Sequence, residues 1–174
     1  QKTAYEIPKR DWSSDVCSSD LDLAAGKIDA IQVFQPYAER LVASGKGHIW
    51  YAQASRGLTA YTTLVTKRET IDKRADEITR MTRALHKTLQ WFDKTPAPEI
   101  ARTLASYFPD LSPDLYAKAI DRYRGLKLWN TNPIVARAGF ERLRQSMLSE
   151  GTIQRTIPFE ECVDTKIAES VTKG

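Results

Sequence analysis

The chain has 174 residues, one ordinary domain by length, and its 41% hydrophobic and 28% charged residues exclude collagen-like and low-complexity classes. Its mean hydropathy is −0.46, and no apolar run approaches the roughly 18 residues that cross a bilayer. Lys and Arg outnumber Asp and Glu by 26 to 22, a net charge of +4, which admits an anionic ligand without demanding nucleic acid.

Residues 1–10 are polar, with neither the apolar stretch nor the cleavage site of a signal peptide. Residues 11–21, DWSSDVCSSDL, are rich in serine and aspartate. Those side chains compete with a helix for backbone hydrogen bonds, so a loop or weak helix is expected. Residues 28–34 follow Gly26 as a β-branched run and predict a buried strand. Gln35-Pro36 opens a helix, with Pro36 in its first turn. Tyr37, Leu41 and Val42 form its stripe, and Gly45 and Gly47 close it. Residues 48–51 predict a short strand, and 58–66 (LTAYTTLVT) a longer one. Strand, helix and strand in this order predict a crossover unit of a mostly parallel sheet.

From Lys67 the period turns helical. Ile78, Met81, Leu85, Leu89 and Phe92 share a stripe that Pro96 and Pro98 end. A second helix is expected over 99–108. Ser112 as N-cap and Pro113 at the first position start a third, with Leu115, Ala119, Ile120 and Tyr123 buried. Pro133 starts a fourth, with Phe140, Leu143, Met147 and Leu148 as core and Gly151 as stop. Pro158 opens a last short helix carrying Phe159, Cys162, Val163 and Ile167. No internal repeat occurs.

Few residues invite covalent chemistry. Glu160, Glu161 and Asp164 cluster, but adjacent helical positions point apart and carboxylates suit a first turn, so a solvated face is expected. Cys162 is expected to be a buried, inert thiol with no base beside it. His86 is expected to be exposed, and His48 to open a strand. Neither histidine has a second ligand at metal spacing, and Cys17 and Cys162 form no CxxC pair. No phosphate-binding glycine loop, Gly-x-Ser-x-Gly elbow or His-Glu-x-x-His motif is present. Cations between Lys67 and Lys87 alternate with Glu69, Asp72, Asp76 and Glu77, which reads as an ion-paired surface. The chain is therefore read as a non-enzyme with no catalytic residue, metal, cofactor or nucleic-acid partner.

The informative stretch is 26–37, GKIDAIQVFQPY, where a strand runs into a helix start with polar residues at the junction. In parallel α/β sheets ligands bind beyond the carboxyl ends of strands. A helix N-terminus also offers free N–H groups to an anion. Gln32, Gln35 and Tyr37 are the candidate ligand contacts. In the alternative reading Gln35 caps its own helix and Tyr37 packs.

Two resemblances bear on these readings. DWSSDVCSSDL resembles, at all eleven positions, the translation of a short-read sequencing adapter. Residues 1–21 are therefore expected to be a non-native leader, with Trp12 and Val16 outside any dense core. The natural chain is expected to begin near Asp22 without its own N-terminal part.

LAAGKIDAIQVFQPYAERLVASG resembles the "aLaaG-x-vDA…eP" segment of periplasmic substrate-binding proteins of ABC importers, of the nitrate/sulfonate/taurine and thiamine-precursor type. LTAYTTLVTKRET is similar to their strand crossing back between lobes. The helix Ala75–Lys94 and LWNTNPIVARAGFERLRQSMLSEGTIQR are similar to their later helices, so the likeness covers Asp22 to about Val171. It implies an α/β fold: the C-terminal part of a two-lobed periplasmic-binding-protein (type II) architecture, helix-rich in this stretch. Residues 22–57 would end the second lobe, 58–66 would cross back, and 67–174 would be the C-terminal helical part of the first lobe.

The resemblance implies capture of a small organic or anionic solute of the sulfonate, nitrate or pyrimidine-precursor class. It implies delivery to a membrane ABC permease, a periplasmic location and a monomeric parent. Tyr61 and Thr62 join the ligand wall from the crossing strand. The family's Glu before proline is Gln35 here, which speaks against a cationic or amine-bearing ligand. With the first-lobe strands missing, Met81, Leu85, Leu104, Ile120 and Leu143 are expected to face water in part or pack on one another.

Two rival functions stand beside this one. A thiamine-precursor biosynthetic enzyme calls for a His- or Cys-rich catalytic segment that the chain lacks. A helical interaction module calls for exposed Trp91 and Phe92.

Overall fold

A computed structural model describes residues 20–173. Residues 1–19, with Trp12, Val16 and Cys17 and most of the adapter-like stretch, lie outside the described residues.

The described chain is a succession of helices. A helical turn at 20–24 (α1) is followed by α2 (Tyr37–Ala43), α3 (Arg68–Lys73), α4 (Ala75–Lys94), α5 (Ala97–Leu104), α6 (Pro113–Gly125), α7 (Arg137–Ser149), α8 (Phe159–Cys162) and α9 (Lys166–Thr172). Short 3-10 turns lie at Gln53–Arg56 and Ala105–Tyr107.

The sequence explains most boundaries. In α4, Asp76 and Glu77 stand in the first turn and Lys94 in the last, each complementing the helix dipole. Pro96 then separates α4 from α5 as the N-cap of α5, with Pro98 in its first turn. The second expected helix, 99–108, starts two residues earlier and tightens into the 3-10 turn after Leu104. In α6 the Ser112 hydroxyl accepts from Leu115 N at 3.3 Å, with Pro113 at the first position.

The core lies where α5 packs on α6. Ala97, Ile100, Ala101, Ala117 and Ile120 are buried there, flanked by Trp91, Phe92, Leu104 and Tyr116. Small alanines let the two helix backbones approach, and Ile100 fills the space with 0% exposure. Arg124 donates to the carbonyls of Phe92 and Thr95, closing the C-terminus of α4 from α6. Helix α4 also packs on α9, and α7 on α8. The apolar stripe is thus partly satisfied: Ile120 is buried and Leu85, Leu104 and Leu143 are half-buried, but Met81 is exposed while its neighbour Thr82 is buried.

Several expectations need correction. The stretches 28–34, 48–51 and 58–66 are irregular, with bends at Asp29, Trp50 and Thr62, and among the described residues no strand forms. A strand requires a neighbour to ladder its N–H and C=O groups, and these three do not ladder with one another. The helix-rich character is observed, whereas the strand–helix–strand crossover is not formed. Phe34, Trp50, Leu64 and Val65 consequently stand in solvent.

The fourth expected helix begins at Arg137, not at Pro133. Asn132 Oδ1 accepts from Ile134 N at 3.0 Å, and this local turn keeps 133–136 out of the helix. The last expected helix is split, because Val163 is extended and Asp164 Oδ1 accepts from Lys166 N to restart it as α9. Cys162, the last residue of α8, is exposed rather than buried. His86 is half-buried rather than exposed, and its Nε2 lies 3.0 Å from Gln90 Nε2.

Candidate functional site

The junction before α2 is polar and tied to α6. Gln35 N donates to Tyr123 Oη at 2.9 Å. The Gln35 side chain turns forward, and its Oε1 accepts from Glu39 N at 3.1 Å, satisfying one of the orphan N–H groups of the α2 start. The peptide bond between Gln35 and Pro36 is cis. Glu39 is 3% exposed and forms an ion pair with Arg122 Nε. The guanidinium of Arg40 lies 5.6 Å from the centre of the Tyr37 ring. Helix α2 thus meets α6 through two side-chain bridges, Gln35 to Tyr123 and Glu39 to Arg122.

Aromatic rings carry this contact further. Tyr123 meets Trp129 edge-on at 5.3 Å, and Trp129 meets Phe92 at 4.5 Å. Beyond them opens a cleft of about 590 Å³, lined in part by Phe92, Trp129, Arg124, Lys127, Leu58 and Asn130. A second cleft, about 530 Å³ and mainly apolar, lies along α7 beside Phe140, Met147, Ile157 and Cys162.

Of the five candidate contacts, Gln32, Gln35 and Tyr37 sit on this one junction, with Gln32 exposed and the other two half-buried. Tyr61, 82% exposed, and Thr62 lie on the irregular segment 58–66. That segment is fastened to α7, not to α2: Ala60 N donates to Gly139 O at 2.9 Å and Arg142 Nε to Leu58 O at 3.0 Å. Among the described residues no hydrogen bond or ring contact joins Tyr61 or Thr62 to the junction. The capping role for Gln35 is observed directly.

Sequence reasoning passed over Glu39, Arg122 and the phenol of Tyr123. Tyr123 was legible only as a member of an apolar stripe, and Glu39 and Arg122 only as charges on separate helices. Nothing in their local spacing announces a contact across 83 positions.

The perturbed ionisable groups lie elsewhere. The Glu160 carboxyl is held below the usual carboxylate range by its hydrogen bond from Arg137, whose own pKa is raised. Arg74 does the same to Glu77. Burial raises the Tyr116 phenol. The two ion pairs are solvent-facing, so their shifts reflect surface pairing. Among the described residues no group of three His, Cys, Asp or Glu side chains is placed to hold a metal. None of their helices is long and apolar enough to cross a membrane.

Residues 19–107, just over half of the chain, match the NMT1-like family. The chain belongs to that family. It is also similar to YtlA of Bacillus subtilis (strain 168), a protein named as a candidate binding protein. The two are 29% identical over 150 residues, covering 86% of this chain and 45% of that protein. The chain therefore spans about half the length of the curated relative it matches. No solved structure matches the chain.

Proposed function

We infer that the chain is part of a solute-binding protein of an ABC importer, contributing one wall of its ligand cleft. The observation that carries this reading is membership of the NMT1-like family over the segment that contains Gln32, Gln35 and Tyr37. The likeness to a protein named for binding supports it. In this reading 22–57 close the second lobe, 58–66 cross back and 67–174 form the helical flank of the first. In this reading the unpaired stretches 28–34, 48–51 and 58–66 belong against strands of the family architecture, which accounts for their exposed apolar side chains.

Function is then capture without covalent chemistry. A small organic or anionic solute, of the sulfonate, nitrate or pyrimidine-precursor class, is held by amide and phenol hydrogen bonds within a largely preformed cleft. The loaded protein works outside the cytoplasmic membrane and docks on a permease. Trp91 and Phe92 pack against the buried cluster of α5 and α6, which supports this reading over a helical interaction module.

The test is calorimetry on the parent protein with taurine, nitrate and an aminopyrimidine. Gln35→Ala is expected to weaken binding of the responding solute by about tenfold, the scale of one hydrogen bond to a charged group, and to leave the fold intact. Unchanged affinity across the panel removes Gln35 from the site.

A further inference from the structure

The alternation of cations and carboxylates along 67–87 predicts an ion-paired surface, and at its start such a surface forms. Lys73 pairs with Glu69 and Arg74 with Glu77. Beyond the first turn of α4 the pairing stops. Arg80, Arg83, Lys87 and Lys94 are all exposed. Among the described residues none of these four side chains joins a hydrogen bond or a salt bridge, and Arg80 acts on Glu77 only as a more distant charge. Residues 80–94 set these four cations against one carboxylate, Asp93, a net of +3 in a chain whose total is +4.

The helix repeat lines the four up. At about 100° per residue they fall within about 60° of arc and span about 21 Å along the axis. Thr88, Leu89, Phe92 and Asp93 line the cleft beside Trp129, on the opposite side of the helix. The Asp93 carboxylate is thereby turned off the row. Asp76 shares the face of the row but stands in the first turn, a full turn before Arg80.

This make-up restricts the partner. The four cations line neither cleft, so the row offers no pocket for a protein's anchoring side chain. Trp91, the ring nearest the row in the helix repeat, is half-buried and packs against the cluster of α5 and α6. It is therefore not a free platform for stacked bases. Separate charges on flexible stems, set in a straight row, suit a flat surface of diffuse negative charge.

We propose that the face of α4 bearing Arg80, Arg83, Lys87 and Lys94 is a docking surface for an anionic phospholipid bilayer. The contact is electrostatic, separate from solute capture and independent of which solute is held. Each cation near such a surface is worth about fivefold in partitioning, and the attraction fades as salt shortens the Debye length.

The test is flotation of the full chain with vesicles of phosphatidylglycerol and phosphatidylcholine, one part to two, beside phosphatidylcholine alone. At about 50 mM salt, binding to the mixed vesicles is expected to saturate with lipid; it is expected to vanish at about 0.5 M salt and on phosphatidylcholine. Arg83→Gln with Lys87→Gln is expected to lower partitioning by about 25-fold and to leave the circular dichroism unchanged. Lys46→Gln with Lys118→Gln removes two exposed cations from other elements. It lowers the net charge equally and is expected to cost about twofold at most. Equal losses in the two double variants would make net charge the cause and overturn the assignment. So would binding to phosphatidylcholine alone, or no saturable binding at low salt. An oligouridylate bound more tightly than the vesicles, and lost in Arg83→Gln with Lys87→Gln, would give the row to nucleic acid and overturn the lipid assignment.

Discussion

Glu39 and Arg122 lie 83 positions apart in sequence and meet as an ion pair between α2 and α6, with the carboxylate 3% exposed. A charge so enclosed is tolerable only with a partner, and breaking such a pair from one side is costly because the other charge is stranded. The pair therefore fixes α2 on α6 more firmly than a surface bridge would.

Arg122→Ala is expected to destabilise the chain by about 3 kcal/mol, because Glu39 stays buried without a counter-charge. Glu39→Gln keeps the shape, removes the stranded charge and is expected to cost about 1 kcal/mol. Urea unfolding of the two variants beside the unaltered chain compares them. Equal losses would show that the stranded carboxylate is not the cause.

Gly139 offers a backbone test of how the 58–66 segment is seated. A Cβ there would lie 3.0 Å from Ala60 N and 3.3 Å from Thr59 C, atoms that cannot rotate aside. Gly139→Ala is expected to push α7 away from the segment, weaken the 2.9 Å bond from Ala60 N to Gly139 O and cost about 1–3 kcal/mol. Gly125→Ala is the control. Nothing lies within 4 Å of its Cβ position, and alanine's better helix propensity is expected to add about 0.5 kcal/mol. Thermal melts of both variants decide. A neutral Gly139→Ala would mean that the segment is not held there.

Glu160 and Arg137 contribute to the acid response, as does the Glu77–Arg74 pair. The hydrogen bond from Arg137 lowers the Glu160 pKa. A carboxyl lowered in the fold adds stability above its unfolded pKa, and that contribution is lost as pH falls through the folded value. The Tm advantage of the unaltered chain over Arg137→Gln is expected to be full near pH 6–7 and to shrink below about pH 4, more visibly at low salt. An advantage constant from neutral to acid pH would assign the effect to the Arg137 guanidinium stacked 4.4 Å from the Phe159 ring instead.

What was legible in the sequence divides by range. The body and end of helix α4 were readable, because its stripe and the prolines after it are local signals, while its start at Ala75 was given by the family resemblance. The start of α6 at Ser112-Pro113 was likewise readable from local signals. The β-branched stretches 28–34 and 58–66 read as strands, but strand pairing depends on a neighbour that the local pattern cannot name, and among the described residues they are irregular. Before α2, the helix start at Gln35-Pro36 and the capping alternative for Gln35 were legible from the local sequence. Their counterparts on α6 were not, since Tyr123 looks like core and Arg122 like surface until the helices meet. Asn132 and Val163 moved two helix boundaries through side-chain and backbone choices that a proline signal alone does not resolve.

The segment 58–66 gives the last prediction. Its β-rich side chains project into water, with Val65 89% exposed, and among the described residues its backbone forms no ladder. An exposed, β-rich, unladdered stretch is open to pairing with another chain. It has little charge of its own, and lysine on an edge is one of the devices by which proteins block such pairing. The chain alone is expected to bind a hydrophobic dye and to elute larger than a monomer from gel filtration. Val65→Lys is expected to shift elution toward the monomer and reduce dye binding. Its Tm should stay near that of the unaltered chain, since an exposed side chain with few neighbours contributes about 0.5 kcal/mol or less. Lys27→Glu, at an exposed salt bridge to Asp22 away from this segment, should leave elution unchanged. A chain that elutes as a compact monomer before any substitution would show that 58–66 is protected in solution. Association unaffected by Val65→Lys would move its cause to another apolar surface, with Trp50 the next to test.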